Sequence, residues 1–287
     1  MFKKLIILNL FLPFFISQAI LSQTVNFNTT HNDDCHKNRD LPTIELSYGV
    51  SKMDLYSIDN NFSDVGQLEL RLGYTFQNRS FYGKNTLKFV KDFAFLSYNS
   101  TDFAPKTFRD NDLSTKMWQF GVGSKEGYGI DLGTVKFVPY TSSSLVWSRL
   151  NTQDHLTSSY QNDIDKINRF NESFRFGTSF ESGLDLQLTR MFSIQTQLNR
   201  TLVFERHLFG KHLVSLLVEA AGSILLETFT DNVLENDPIA GTIVTFLLKS
   251  GYSLGLYQLR TQDMYWPFAS AAPLDYISLR FGTSFTF

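Results

Sequence analysis

The stretch Leu274–Phe287 reads LDYISLRFGTSFTF. In an extended chain, successive side chains point to opposite sides of the backbone. One side of this stretch is apolar, with only Thr283 interrupting, and carries Ile277, Leu279, Phe281, Phe285 and Phe287. The other side carries Tyr276, Ser278, Arg280, Gly282, Ser284 and Thr286. The alternation predicts a β-strand with one apolar and one mostly polar face.

This ending, with Phe287 as the last residue, resembles that of bacterial outer-membrane β-barrel proteins. The resemblance implies that the last strand closes a barrel by pairing with the first, and that its apolar side faces outer-membrane lipid. It also implies that Phe281, Phe285 and Phe287 form a signal that the barrel-insertion machinery reads. We therefore expect a location in the outer membrane.

The N-terminal residues 1–23 have the pattern of a secretory signal peptide. Lys3 and Lys4 give a basic start, an apolar run from Leu5 to Ile16 follows, and small residues come after it. The run is shorter than the roughly 20 residues that a membrane-spanning helix needs. Residues 24–40 are polar and without period, so they are expected to be a flexible lead-in, and residues 41–287 are expected to form the barrel.

Composition excludes several classes of protein. A formal net charge of −2 gives no basic surface for nucleic acid. A single cysteine rules out an internal disulfide framework. The 28 Phe and 12 Tyr suit the lipid-facing strands and aromatic girdles of a barrel. No pattern in the sequence predicts a cofactor or a metal site.

About eight strands can be counted by alternation. Clear ones lie at 44–50, 68–76, 192–202 and 276–287, and the sixth covers about 173–188, where Gly183 is a candidate for a register shift. The third, near 86–98, is less regular. The fourth, around 118–123, is expected to end in a turn at Lys125–Gly127, and the fifth lies within 133–150 with a bulge or an end at Pro139. Short and long connections alternate, as periplasmic turns and external loops do in barrels.

The connection from about 206 to 262 is apolar at helical rather than strand spacing. Residues 212–229 and 238–257 each carry only a narrow polar stripe, and Pro238 suits a first helical position. We predict a helical hairpin before the last strand, with Glu219 or Glu227 facing Lys249. The pattern leaves open whether the hairpin caps the barrel, plugs it, lies against outer-leaflet lipid or docks on a partner.

The polar faces of the strands carry charges that would meet inside a narrow barrel. Opposite charges in a cramped interior need partners, so a structural network is expected there. The alternative is a path for ions or solutes, which would make the protein a narrow pore. The predicted network comprises Glu45, Glu69, Arg71, Arg175, Glu181 and Arg280.

Catalysis is weighed as an alternative because some outer-membrane barrels are enzymes that modify lipids or peptides. Such sites need a nucleophile or paired carboxylates with a histidine. Residues of these types occur at Asp154, His155 and Ser158, and again at Glu205, Arg206, His207 and His212. None of them forms a recognisable catalytic motif, so no catalytic residue is predicted.

A separate segment, LRTQDMYWPF, is unusual for a plain loop because Arg, Tyr and Trp concentrate at binding hot spots. It carries a candidate partner surface, with membrane-interface anchoring of the aromatics as the alternative. The residues concerned are Arg260, Asp263, Tyr265 and Trp266.

The sequence thus predicts an all-β protein, a transmembrane antiparallel barrel of about eight strands with a helical insertion. The expected role is non-enzymatic, either structural or binding, as a subunit of an envelope complex that docks through the insertion. The expected partners are outer-membrane lipid, the insertion machinery and an envelope protein. The competing interpretations are a barrel enzyme, a narrow pore and, least favoured, a secreted soluble β-protein.

Overall fold

The computed structural model describes residues 41–287 except 57, 59–61, 80–84, 106–113, 153–160 and 207. The expected signal peptide, 1–23, and lead-in, 24–40, lie outside the described residues.

Eight antiparallel strands form one closed barrel in which each strand pairs with its neighbours in the sequence, and the last pairs with the first. The predicted fold class is therefore confirmed. The strands are β1 (Leu41–Asp54), β2 (Val65–Arg79), β3 (Thr86–Ser100), β4 (Thr115–Asp131), β5 (Lys136–Thr152), β6 (Phe174–Gln187), β7 (Phe192–Val203) and β8 (Leu274–Thr286).

Three local predictions were wrong. Lys125–Gly127 is not a turn, because β4 continues unbroken to Asp131. Pro139 makes neither a bulge nor a strand end: the ladder between β4 and β5 lapses beside it and resumes in the same register, since proline lacks only the amide donor. Gly183 does not shift the register either, because its pairing with Tyr140 and Gln197 continues that of its neighbours.

The two faces of the barrel wall differ as a membrane requires. Large apolar side chains that point outward are exposed on most strands, including Leu46, Leu70, Phe120, Leu198 and Leu279. Inward-pointing side chains are largely buried and polar. An apolar outer belt around a closed, polar interior is the architecture of a transmembrane β-barrel of the outer-membrane type.

The two ends of the barrel are distinguished by their connections. Those from β4 to β5 and from β6 to β7 span only 132–135 and 188–191, and these two lie at the same end as Leu41 and Thr286. The longer connections, 55–64, 101–114, 153–173 and 204–273, lie at the opposite end. Short turns face the periplasm in outer-membrane barrels, so we call these ends the periplasmic end and the external end.

The described residues of the external connections include three α-helices. α1 (Gln161–Asn168) precedes β6, while α2 (Phe209–Asn236) and α3 (Pro238–Arg260) form the predicted hairpin between β7 and β8. The Asp237 side chain caps α3 by accepting from the amides of Ile239 and Ala240, and Pro238 occupies the first turn.

The hairpin lies against the outside of the barrel. α3 contacts β4, β5, β6 and β7, and α2 packs on α3. Of the four placements that the sequence left open, the structure shows neither a plug in the lumen nor a cap over its mouth.

Candidate functional site

The middle of the lumen is filled by paired charges. Glu45 on β1 accepts from Lys91, and from the Lys125 Nζ at 3.2 Å to its Oε2. The Gln195 Nε2 donates to the Glu45 Oε1 at 2.8 Å and to the Asp185 Oδ2 at 2.9 Å. All these side chains are at most a few per cent exposed, so their mutual contacts replace the solvation that they lose.

A second group of charges adjoins the first. The Arg71 guanidinium donates to both carboxylate oxygens of Glu181, at 3.0 and 2.5 Å, and to the Glu69 Oε1 at 2.7 Å. Arg280 reaches the same two acids, with 2.5 Å from its Nη1 to the Glu69 Oε2. Tyr140 adds a hydroxyl that donates to the Glu181 Oε1 at 3.1 Å. Residues from β2, β5, β6 and β8 are thereby tied across the barrel.

Five of the six residues expected in the lumen network lie together in these two groups. Arg175 does not join them, and none of the ion pairs among the described residues includes it. The sequence reasoning missed five members, namely Lys91, Lys125, Tyr140, Asp185 and Gln195. With Lys91, Lys125 and Asp185 included, the lumen holds four carboxylates against four cations.

The misses have physical reasons. β3 turns Phe89, Phe93 and Lys91 inward, and a strand that places aromatic rings inside does not show the usual polar inner face. The Arg71 guanidinium lies over the Phe93 ring, 4.5 Å from its centroid. This cation–π contact explains how an aromatic side chain packs among charged ones. Lys125 was not predicted to point into the lumen because the sequence Lys-Glu-Gly is typical of a turn. Its inward position follows once β4 is extended to Asp131.

Apolar layers close the lumen on both sides of the charges. At the periplasmic end the layer is Leu87, Phe89 and Val138. The small pocket beside it has room for about one water molecule, at ≈ 10 Å³. At the external end lies a larger apolar cluster, to which Ile167 of α1 and Phe170, just after α1, contribute. It comprises Met53, Leu55, Phe62, Val65, Met117, Leu150, Ile167, Phe170, Val203, Leu274 and Tyr276.

Ion pairs connect the two helices of the hairpin to each other and, across the seam between hairpin and barrel, to the barrel wall. The Lys249 Nζ of α3 lies 2.7 Å from the Glu126 Oε1 on β4 and 3.1 Å from the Glu227 Oε1 of α2. Of the two expected partners of Lys249, Glu227 is thus present. Glu219 instead pairs with Arg260, at 2.9 Å.

A further charged contact between the hairpin and the barrel lies nearer the external end. The Arg200 Nη2 on the outer face of β7 is 2.7 Å from the Asp275 Oδ2, and its Nη1 donates to the Gln258 Oε1 of α3 at 2.9 Å.

An aromatic cluster seals the external part of the seam. His212 lies among the rings of Phe176, Phe204 and Tyr265, with centroids 5.4 to 5.9 Å away. The Tyr265 hydroxyl donates to the Arg206 carbonyl at 2.7 Å and accepts from the Leu208 amide at 2.8 Å. Burial raises the pKa of Tyr265, so its hydroxyl stays protonated and keeps the donated bond.

The expected partner surface is only partly exposed. Arg260 and Tyr265 are 3% and 0% exposed, so neither is available to a partner, and both hold the hairpin in place. Asp263 accepts from the Ser270 amide at 2.7 Å, and the Trp266 carbonyl accepts from the Ser215 hydroxyl at 2.7 Å. Both Asp263 and Trp266 are half-buried.

The histidines and neighbouring residues considered for catalysis lie partly inside and partly outside the described part of the chain. Asp154, His155, Ser158 and His207 lie outside the described residues. His212 is buried in the aromatic cluster, away from the charged network. Within the part of the chain that the structure describes, no group of three His, Cys, Asp or Glu side chains is placed to hold a metal ion.

The residues of the expected insertion signal lie at the periplasmic end of β8. Phe281 and Phe285 point outward and are exposed, and Phe287 follows the end of the strand. The Phe287 amide donates to the Pro42 carbonyl at 2.9 Å. This bond holds the last residue beside the start of β1.

Comparison with known proteins gives similarities in structure. No protein-family model matches the chain, and no curated protein matches it in sequence. Among solved structures, Neisserial surface protein A is similar, with 10% identity, a TM-score of 0.42 and coverage of 86% of this chain and 97% of that one.

The attachment invasion locus protein Ail of Yersinia pestis has 7% identity and a TM-score of 0.37, covering 87% of this chain and 99% of its own. The N-terminal β-barrel domain of Pseudomonas aeruginosa OprF has 12% identity and a TM-score of 0.35, covering 88% of this chain and 100% of its own.

Proposed function

We propose that the protein is a non-enzymatic, non-conducting outer-membrane barrel, a structural or binding component of the envelope that meets a partner through its helical hairpin. The observation that carries the proposal is the filled lumen. Seven buried charged side chains form ion pairs with one another between two apolar layers, and Arg280, Lys91 and Lys125 are at most 2% exposed. A solute would have to break several buried ion pairs to pass.

Planar-bilayer recording of the purified full chain tests the sealed lumen. We expect no conductance steps under conditions in which a known porin, reconstituted in the same way, conducts. Discrete openings that recur between preparations would contradict the proposal and favour the pore.

The enzymatic alternative is tested separately. The seam histidine, His212, supports a structural role because aromatic rings surround it. We expect the lipid A and phospholipid masses of outer membranes to be the same with and without the gene. A mass shift that depends on the gene would overturn the non-enzymatic assignment.

Docking through the hairpin is supported by the structure of the insertion. Its two helices are not needed to close the barrel, whose eight strands pair without them. A photo-crosslinking amino acid at Glu235, which is exposed where the hairpin turns, should capture an envelope protein. The same probe at Thr134, exposed in the β4–β5 turn, is the matched control. Equal adducts at both positions, or none at Glu235, would contradict docking through the hairpin.

A further inference from the structure

We propose that the α2–α3 hairpin crosses the same bilayer as the barrel, with lipid acyl chains as the occupant of its outer apolar face. The protein would then span the outer membrane with eight strands and two helices. This inference concerns the position of the hairpin and does not depend on the lumen being sealed, so the conductance experiment and the experiment below fail independently.

The first observation is the length of the hairpin. The 28 residues of α2 and the 23 of α3 correspond to about 42 and 35 Å at 1.5 Å per residue, against about 30 Å of hydrocarbon. By length and composition, both helices qualify as membrane spans. Only 11% of the qualifying window of α2 is buried by protein, so a soluble core does not explain its apolar character.

The second observation is the direction of α3 along the wall. Lys249 contacts Glu126, which lies five residues from the periplasmic end of β4 at Asp131. Five residues of a tilted strand place Glu126 about 12 Å from the periplasmic end, measured along the barrel axis. The helix between Lys249 and Pro238 rises over eleven residues and is about 16 Å long, which is more than that distance. The turn of the hairpin therefore reaches the periplasmic end of the barrel wall.

The other end of α3 lies at the external end. Gln258 accepts from Arg200, which is three residues from the external end of β7 at Val203. α2 begins soon after Val203, on the external side as well. The hairpin thus leaves from the external end, runs the height of the wall to the periplasmic end and returns.

The third observation is the distribution of charge and apolar surface. The charged side chains within the helices, Glu219, Glu227 and Lys249, are all in ion pairs, as charges in hydrocarbon must be, and the partner of Glu219 is Arg260 at the external end of α3. The turn of the hairpin, in contrast, carries four exposed polar residues, namely Asn232, Glu235, Asn236 and Asp237.

The outward sides of the helices carry large apolar residues, and they continue the lipid-facing belt of the barrel. Leu225 on α2 is 73% exposed, the highest value among the large apolar residues of the described chain, and Leu217 and Leu247 are also exposed. Such a surface in water would be an aggregation liability, whereas hydrocarbon covers it at no cost.

The topology is tested by cysteine labelling in cells. Cys35, the only native cysteine, is replaced by serine, and single cysteines are introduced by Glu235→Cys, Thr134→Cys and Gln262→Cys, all at exposed positions. Thr134 marks the periplasmic turns, and Gln262 follows the external end of α3. A maleimide too large to cross the outer membrane is applied to intact and to permeabilised cells.

We expect Glu235→Cys to behave like Thr134→Cys, which is labelled only after permeabilisation. Gln262→Cys should be labelled in intact cells. Labelling of Glu235→Cys together with Gln262→Cys in intact cells would overturn the crossing. Because the criterion is agreement with one marker or the other, the test holds even if the barrel has the opposite orientation.

The occupant is tested in liposomes with a spin label at Leu225→Cys. We expect greater accessibility to lipid-soluble oxygen than to a water-soluble nickel complex, matching a label at Leu70→Cys on the barrel belt. Accessibility to nickel would mean that the face lies in water. Protection from both reagents would mean that protein covers it. Either result would overturn lipid as the occupant.

Discussion

Lys249 of the hairpin and Glu126 of the barrel wall form an ion pair of 2.7 Å, although 123 residues separate them in the sequence. The same ammonium group donates to Glu227 of α2 at 3.1 Å. One lysine therefore holds both helices to the outer face of β4. Its removal takes the ion-pair partner from both Glu126 and Glu227, and leaves Glu126 only the interaction with Lys88 of β3.

Lys249→Met should lower the free energy of unfolding by about 3 kcal/mol, because uncompensated charges at a lipid-facing seam are costly. Denaturant titration of the protein in liposomes measures this change in the free energy of unfolding. The control is Lys211→Met, which loses only a bond to the Ala269 carbonyl at the exposed start of α2 and should cost less than about 1 kcal/mol. Equal effects of the two substitutions would contradict the role given to Lys249.

The lumen network gives a second prediction. Arg280→Met removes a cation from between Glu69 and Glu181 and should destabilise the barrel by about 3 to 5 kcal/mol. Arg175→Met is the matched control on another inward position and should cost less than about 1 kcal/mol. Heat-dependent mobility shifts on gels, followed by denaturant titration, compare the two. A tolerant Arg280→Met would mean that the network does not hold the strands together.

Contact between the two helices of the hairpin gives a third prediction. A Cβ at Gly222 of α2 would lie 2.0 Å from the Tyr252 hydroxyl oxygen of α3, whereas one at Gly251 meets nothing within 4 Å. Gly222→Val should therefore separate the helices and cost about 1 to 3 kcal/mol. Gly251→Val, the control, should cost under about 1 kcal/mol. Disulfide trapping between cysteines placed on the two helices reports their separation, and unchanged trapping in Gly222→Val would contradict the packing.

The terminal residue gives a fourth prediction. Phe287 lies beyond β8 and its side chain is exposed, so Phe287→Ser should hardly change the stability of the folded barrel. If the residue is part of a signal for the insertion machinery, its loss should lower the amount of protein in the outer membrane several-fold. Refolding into liposomes without that machinery should proceed at the normal rate. An equal defect in both assays would show that Phe287 acts in folding itself.

The sequence was sufficient to predict a strand wherever one face of the strand is apolar and lipid-facing and the other face is polar. β2 and β8 alternate almost without interruption, and the two helical segments differ from the strands in their period, so the strand number and the place of the hairpin were predicted correctly. β3 was predicted only roughly, because Phe89 and Phe93 point into the lumen and weaken the alternation.

The features that the sequence did not predict depend on contacts between residues far apart in the chain, which no local sequence pattern contains. Lys125 was taken for part of a turn, yet its ammonium meets Glu45 of β1 inside the barrel. Arg260 and Tyr265 have the composition of a binding surface but are buried by the packing of the hairpin on the wall. The position of the hairpin likewise follows from the pairing of Lys249 with Glu126, which the sequence did not indicate.

Contact between hydrocarbon and the outer faces of the strands is tested most directly by fluorescence quenching of a single tryptophan. Leu70→Trp, combined with Phe at the three native tryptophans Trp118, Trp147 and Trp266, places the probe on the outer face of β2. In liposomes we predict strong quenching by brominated acyl chains and little by aqueous acrylamide. Quenching by acrylamide without quenching by the brominated lipid would show that the outer face of β2 lies in water, and would contradict the contact with lipid.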